Sequence, residues 1–353
     1  VWDELAILAR PNNEGTFTLE KYSFLQPTTY TNAVFFDFDN DENLDLLIMG
    51  QGGDWNISGD IKFVTLYRNL GADEDFRFER VPDAGFLQRR DEGFYNPIST
   101  GDFNHDGYTD VLIMSNQNGR HIDLYLNDKG TGRFIRQEID FEAATNGSVM
   151  FGDLNNDGWL DIISSGYGPG EGNLRIYWNN GDGTFSENGQ YLYGSYDSSC
   201  FPCDLNADGW TDIVVTGYSA TKGQNAKSFY VYRNKGGRTF EMLDDLFCGF
   251  EGVDGATPSF GDVNHDGLPD ILTGGHGESH EITTWLYLNR GDFCFKPCGG
   301  WYDTASPWTF DRVTHGNNHL IDFDNDGYLD AWNMGWAHSD VCSRECATEL
   351  YRN

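Results

Sequence analysis

A chain of 353 residues with 56 acidic against 23 basic side chains carries a formal net charge of −33. Such a surface excludes nucleic acid, whose binders present basic stripes, and equally an anionic membrane face. Aromatics at 15% and 43 Gly exclude disorder and fit many short strands joined by tight turns. No apolar run approaches the ~20 residues of a membrane helix, so no membrane insertion is expected within this chain. The opening VWDELAILARPN lacks the basic start and cleavage site of a signal peptide.

In chain order, ELAILAR (residues 4–10) reads as a strand, and NNEGTFTLE (12–20) as a Gly turn leading into another. An acidic nine-residue motif then begins at Asp37 as DFDNDENLD and returns five times. The copies are DFNHDGYTD from Asp102, DLNNDGWLD from Asp153, DLNADGWTD from Asp204, DVNHDGLPD from Asp262 and DFDNDGYLD from Asp322. Each copy follows one apolar run and precedes another, such as DLLIMG or DIVVTG. After a loop of variable length comes a second signature: LYRN (66–69), LYLN (124–127), IYWN (176–179), VYRN (231–234), LYLN (286–289) and LYRN (350–353). A Gly-rich turn and a Phe close most units. Runs this short, rich in Val, Ile, Tyr and Phe, are strands and not helices.

Four strands per unit, repeated at 51 to 65 residues, predict an all-β fold: a β-propeller of four-stranded blades in a single domain, residues 1–353. Six blades are favoured over seven. The last unit stops after its third strand, so residues 12–20 are expected to supply its fourth and close the ring.

Within the motif, oxygen side chains fall at positions 1, 3, 5 and 9, and Gly stands at position 6 in five copies. Hard oxygen ligands alternating along a tight turn suit Ca²⁺, which takes six to eight oxygens. An EF-hand loop opens alike but closes on Glu at position 12 between helices. The expected ligands are Asp37, Asp39, Asp41 and Asp45; Asp102, Asn104, Asp106 and Asp110; Asp153, Asn155, Asp157 and Asp161; Asp204, Asn206, Asp208 and Asp212; Asp262, Asn264, Asp266 and Asp270; and Asp322, Asp324, Asp326 and Asp330. That makes about one ion per repeat and up to six in all. At about tenfold saturation each site adds ~1.4 kcal/mol, so six together rival a domain's net stability and point to a structural metal. Glu42 replaces Gly in the first copy, where a wider turn or weaker site is expected. The aromatics at position 7 (Tyr108, Trp159, Trp210, Tyr328) read as packing residues, and His105 and His265 at position 4 as exposed spacers.

The six Asp-x-Asx-x-Asp motifs, the Gly at position 6 and the Leu-Tyr-x-Asn strands resemble the FG-GAP/VCBS repeat family, the blade type of integrin α-subunit propellers and some fungal lectins. The likeness runs from about Asn12 to Asn353. It implies calcium at the positions named above, an extracellular or cell-surface location, and a binding or adhesion role toward glycan or protein ligands. A partner in a surface assembly is a further possibility within that role.

In an up-and-down blade the calcium turn and the Gly-rich turn share one face. The variable 2–3 loops and the crossovers share the other, where binding usually lives. The expected ligand-binding residues there are His276, His280, His315, Trp336 and His338, with Trp301 and Trp308 close by in the chain. HGESH (276–280) and HGNNH (315–319) have zinc-like His spacing, but read as loops where that spacing aligns nothing. The alternative is a propeller-fold polysaccharide lyase or glycoside hydrolase, for which Asp303, Asp311, Arg312 and His315 are candidates. No spacing singles them out, and the binding module is favoured.

Seven Cys, all at or after position 200, include three close pairs: Cys200/Cys203, Cys294/Cys298 and Cys342/Cys346. Local disulfides of a secreted protein are expected there ahead of a zinc site. NIS at Asn56 and NGS at Asn146 match the glycosylation pattern.

Overall fold

The computed structural model describes residues 7–11, 17–21, 29–52, 61–72, 77–87, 97–115, 121–139, 141, 144–167, 173–219, 226–243, 252–254, 257–277, 282–298, 310, 313–323, 326–337 and 345–353. Every described element is a strand, apart from turns and one single-residue helical turn. The fold is a six-bladed β-propeller. Blade 1 comprises Thr29–Phe36, Asp45–Gly52, Ile61–Asn69 and Phe78–Arg80. Blade 2 comprises Ile98–Gly101, Asp110–Ser115, His121–Asn127 and Phe134–Arg136. Blade 3 comprises Thr145–Gly152, Asp161–Tyr167, Asn173–Asn179 and Phe185–Glu187, with Leu192–Tyr193 added beside the third strand. Blade 4 comprises Ser195–Cys203, Asp212–Ser219, Lys227–Asn234 and Phe240–Met242. Blade 5 comprises Ser259–Gly261, Asp270–His276, Ile282–Asn289 and Phe295–Pro297. Blade 6 comprises Val313–Ile321, Asp330–Ala337 and Glu345–Tyr351. All pairings are antiparallel, in chain order within each blade.

The closing strand differs from expectation. Phe17–Lys21 pairs with Ile7–Pro11 as a separate two-stranded sheet, and the sixth sheet has three strands among the described residues. The physical reason lies in residues 7–11. They resemble a third strand in their own right, and only five residues separate them in the chain from Phe17–Lys21, which makes this the pairing cheapest in loop entropy.

The register is the same in every blade. The ninth motif residue faces the residue just before the first, as in Phe36↔Asp45, Gly101↔Asp110 and Ile321↔Asp330. The Tyr of the second signature faces the residue after that Asp, as in Leu46↔Tyr67 and Ile271↔Tyr287. Its Asn faces the closing Phe, as in Asn69↔Phe78, Asn127↔Phe134 and Asn234↔Phe240. Second strands are buried on both faces; Asp110–Ser115 is buried throughout. This is why they read as unbroken apolar runs.

The chain divides into two compact units, Val1–Glu92 with Pro97–Glu142, and Gly93–Asn96 with Ala143–Asn353. In the first, Phe36, Phe38, Leu47 and Leu66 of blade 1 pack against Val111, Ile113, Tyr125 and Phe134 of blade 2. In the second, blades 3 and 4 share a core of Ile163, Ile176, Trp178, Ile213, Val215 and Tyr232. Leu205, Val214 and Val231 join Ile271 and Phe295 across blades 4 and 5.

The Asn of the second signature ties neighbouring blades together. Asn234 donates its side-chain amide to Thr211 O of its own loop at 3.0 Å and to Leu154 O of blade 3 at 2.7 Å. Its Oδ1 accepts Gly236 N–H at 3.1 Å. Asn127 reaches Phe38 O, Asn289 reaches Leu205 O and Asn353 reaches Val263 O in the same way, at 2.7–2.9 Å. Removing such an amide strands several buried backbone groups at once. Asn234→Ala is expected to cost about 3 kcal/mol, read as a lowered denaturant midpoint, whereas alanine at the exposed Lys235 beside it leaves the midpoint in place.

Candidate metal centres

Each acidic loop is built by its own carboxylates before any ion is considered. The first Asp accepts the backbone N–H groups of positions 5 and 6. Asp102 takes Asp106 N at 3.1 Å and Gly107 N at 2.9 Å, and Asp37, Asp153, Asp204, Asp262 and Asp322 repeat the pattern at 2.8–3.2 Å. The fifth-position Asp accepts the N–H of position 7, as Asp157 does from Trp159 at 2.9 Å. Position 6 sits at positive φ, +87° to +92° for the five glycines, which explains the Gly there. Glu42 adopts the same turn at φ +69°, so the first loop is not wider than the rest, contrary to expectation.

The ninth Asp has a role that spacing alone did not reveal. Asp45, Asp110, Asp161, Asp212, Asp270 and Asp330 are all fully buried. In each, one oxygen accepts the N–H of motif position 2 and the other the N–H of the signature Asn, at 2.8–3.3 Å. One carboxylate thus pins the loop's entrance to the third strand. Burial, opposed by those backbone bonds and reinforced by the neighbouring carboxylates, pushes Asp45, Asp110, Asp161 and Asp212 up to about 7 and Asp270 up to about 6.

The donor set suits a hard divalent cation. In the first loop, oxygens of Asp37, Asp39 and Asp45 lie within 4.8 Å of one another, a span that ligand distances of about 2.3–2.6 Å bridge. Asp39 Oδ1 is buried without a hydrogen-bond partner, while Oδ2 meets Arg68 Nε at 2.9 Å. Burial raises the Asp39 carboxyl, and Arg68 opposes it. Bound Ca²⁺ would supply positive charge among these carboxylates, with Asp37, Asp39, Asp41 and Asp45 as the residues to hold it. Four of the other loops place Asn in position 3 but are otherwise alike: Oδ1 of Asn104, Asn155, Asn206 and Asn264 accepts the backbone N–H of the fifth-position Asp. Asp324 lies outside the described residues. Three loops carry a nearby guanidinium: Arg68, Arg233 at 3.7 Å from Asp208, and Arg352 at 3.2 Å from Asp326.

Position 4, expected to be a spacer, joins neighbouring loops instead. Asn40 donates to Gly107 O at 2.9 Å, Asn156 donates to Gly209 O at 2.7 Å, and the His265 ring meets Tyr328 edge-on at 4.8 Å. His265 is nonetheless solvent-exposed, as expected. Trp159 and Trp210 pack over Gly181 and Gly236 of the Gly-rich turns, as packing residues should.

The profile of the FG-GAP-like repeat matches residues 102–164, 153–215 and 204–273. The protein is an FG-GAP-repeat β-propeller. Human integrin alpha-6 is 32% identical over 113 residues, 27% of this chain and 10% of that protein. Rat integrin alpha-7 is 33% identical over 92 residues (24% and 8%), and mouse integrin alpha-IIb 32% over 95 residues (26% and 9%). The match thus spans a tenth or less of these relatives' length. Among solved structures, a triple arginine-to-alanine mutant of AofleA from Arthrobotrys oligospora shares the fold at 10% identity, with a TM-score of 0.50 over 92% of this chain and 88% of that one.

On the opposite ends of the FG-GAP blades, the expected ligand residues are sparsely described. His280, Trp301, Trp308 and His338 lie outside the described residues, as do Asp303, Asp311 and Arg312 and the side chains of His315 and Trp336. His276 ends the second strand of blade 5 and exchanges backbone bonds with Asp254. HGNNH is not a loop: His315 and His319 share strand Val313–Ile321, about 13 Å apart at strand rise. Beside Asp254 is a cluster absent from the sequence reading. Fully buried Lys227 sets its Nζ 2.6 Å from Asp254 Oδ1 and 3.5 Å from the Tyr218 ring centroid. Burial raises Asp197 nearby, which Asn146 hydrogen-bonds. Asn146 thus has a structural partner and a strand-bulge position instead of an open glycosylation loop.

The paired-cysteine expectation fails for two of the three pairs. Cys200 and Cys203 both lie on strand Ser195–Cys203, and Cys294 and Cys298 flank Phe295–Pro297; all four are thiols. Three or four residues along a strand span about 10–13 Å, beyond the ~7 Å limit for bridged Cα atoms. Burial pushes the Cys200 and Cys203 thiols up to about 12. Cys248 and Cys342 lie outside the described residues, as does the Cys346 side chain.

Acids held above their unfolded value of about 3.9 bind protons more tightly in the folded state. Their contribution is full at low pH and is lost as pH rises through about 4 to 7. In chelator the melting temperature is expected to fall between pH 5 and pH 7.5, and millimolar calcium to restore it most at the higher pH. A calcium response equal at both values contradicts this. Separately, Glu42→Gly relieves a left-handed non-glycine residue and is expected to raise stability by about 1 kcal/mol in calorimetry.

Proposed function

We propose that the protein is an extracellular or cell-surface binding module whose propeller is stabilised by calcium and whose ligand, a glycan or a protein, docks on the loop face opposite the acidic turns. The observation that carries this reading is the employment of every acidic loop in construction. Its first, fifth and ninth Asp side chains accept the loop's own backbone N–H groups, and its neighbours are fastened to it. Carboxylates so engaged offer little to a substrate, which leaves recognition to the loops of differing length at the other ends of the strands. Adhesion is consistent with the similarity to integrin α subunits, and the ligand residues His276, His280, His315, Trp336 and His338 with Trp301 and Trp308 remain the first to substitute.

The test is a glycan array and an extracellular-protein array, each probed with and without calcium. Specific capture is expected that calcium strengthens and that Trp301→Ala with Trp308→Ala reduces at least tenfold, with the melting temperature held. Release of new reducing ends or unsaturated products from a captured polysaccharide would mark an enzyme and overturn the binding reading.

A further inference from the structure

At the ends of blades 3 and 4 away from the acidic turns, the first strands of the two blades pack on one another. Each bulges at the same point, one between Thr145 and Ser148, the other between Tyr196 and Ser199. A bulge re-aims the side chains beside it. Here Asn146 donates its side-chain amide to the Asp197 carboxylate. Beside this pair Tyr167, 50% exposed, sets its ring 5.3 Å from the half-buried ring of Tyr196. Tyr196 in turn faces Tyr218 across the strand pair. The Tyr218 ring centroid lies 3.5 Å from Lys227 Nζ, and its hydroxyl donates to Asp254. Three tyrosines thus form a row that starts in solvent and ends at the buried Lys227–Asp254 pair.

The charges along the row decide what fits it. Asp197 and Asp254 share one ammonium, Lys227, whose Nζ lies 2.6 Å from Asp254 Oδ1. Burial raises the Asp197 carboxyl against the Asn146 bond, and the Asp254 charge adds to that rise. An anionic ligand would meet two carboxylates, and a cationic one would meet an ammonium already in place. A neutral ligand rich in hydroxyls meets neither penalty. Its C–H faces stack on tyrosine rings, while carboxylate and amide oxygens accept its O–H groups. We propose that the ends of blades 3 and 4 form a subsite for a neutral saccharide, with one sugar ring stacked on Tyr167 and Tyr196 and its hydroxyls bonded to Asp197 and Asn146. This rests on the protein being a binding module, and it selects glycan over protein as the class of ligand.

Isothermal titration of the full chain in calcium buffer tests this. The probes are neutral trisaccharides of glucose, galactose, mannose and N-acetylglucosamine, with a trigalacturonate and a Lys/Arg peptide as charged comparisons. At least one neutral trisaccharide is expected to bind about tenfold more tightly than either charged probe. Tyr167→Ala removes an exposed ring, and Asp197→Asn keeps a residue that tolerates the left-handed backbone there, φ +46°. Each is expected to weaken that binding about tenfold with the melting temperature held. Tyr328→Ala, which removes an equally exposed ring from the calcium turn of blade 6, leaves it in place. Silence of all four neutral sugars at millimolar concentration, tighter binding of a charged probe, or binding that survives either site variant overturns the proposal. Capture of a protein ligand while the four sugars stay silent overturns it alone and leaves the binding module standing. Cleavage of the sugars overturns both.

Discussion

A single buried carboxylate, repeated six times, holds this fold together. The ninth Asp of each motif receives one backbone N–H from the start of its own loop and another from the Asn that ends the third strand. That Asn in turn bonds its own loop, the Gly-rich turn and the preceding blade. Loop conformation, strand register and blade packing therefore share one set of hydrogen bonds. Taking that carboxylate out of water is costly when it is charged, and two backbone N–H groups offset only part of the cost. A cation among the neighbouring carboxylates would offset more, which gives the acidic loop a structural reason to exist.

The excess of negative charge follows from the same economy. Copies of the motif place carboxylates in every loop, while Arg68, Arg233 and Arg352 answer only some of them. Where Arg is absent, Leu126, Trp178 or Leu288 stands in the same place of the second signature, so the six loops are alike in backbone but not in electrostatics. They would be expected to fill with cation in sequence and not all together.

Much of this was legible from spacing. The nine-residue motif, the short apolar runs and the Leu-Tyr-x-Asn signature recur with fixed residues, and period and strand type follow from them. The candidate ligands at positions 1, 3, 5 and 9 were legible because their chemistry is carried by residue type. What spacing hides is partnership. Asn234 and Leu154 are 80 residues apart, and nothing local announces that an amide meets that carbonyl. His265 looks like a spacer until Tyr328 of the next blade is beside it. Cys200 and Cys203 look paired until both are laid along one extended strand. Phe17–Lys21 meets Ile7–Pro11 instead of the sixth blade because two third-strand segments compete for it, and the one nearer in the chain wins.

The joint between blades has a consequence for how such arrays change over time. Blades 4 and 5 each carry both halves of the fastening: a position-2 carbonyl on one flank and a reaching Asn on the other, as Leu205 O and Asn234 do in blade 4. The connector is the same at the four joints where it is seen, so the blades that meet there are interchangeable at the joint. A duplicated unit arrives with its own plug and its own socket, and a deleted one leaves flanks that still mate. Copy number can thus drift by whole modules while each survivor keeps its geometry, and the loops at the far end are free to diverge one blade at a time.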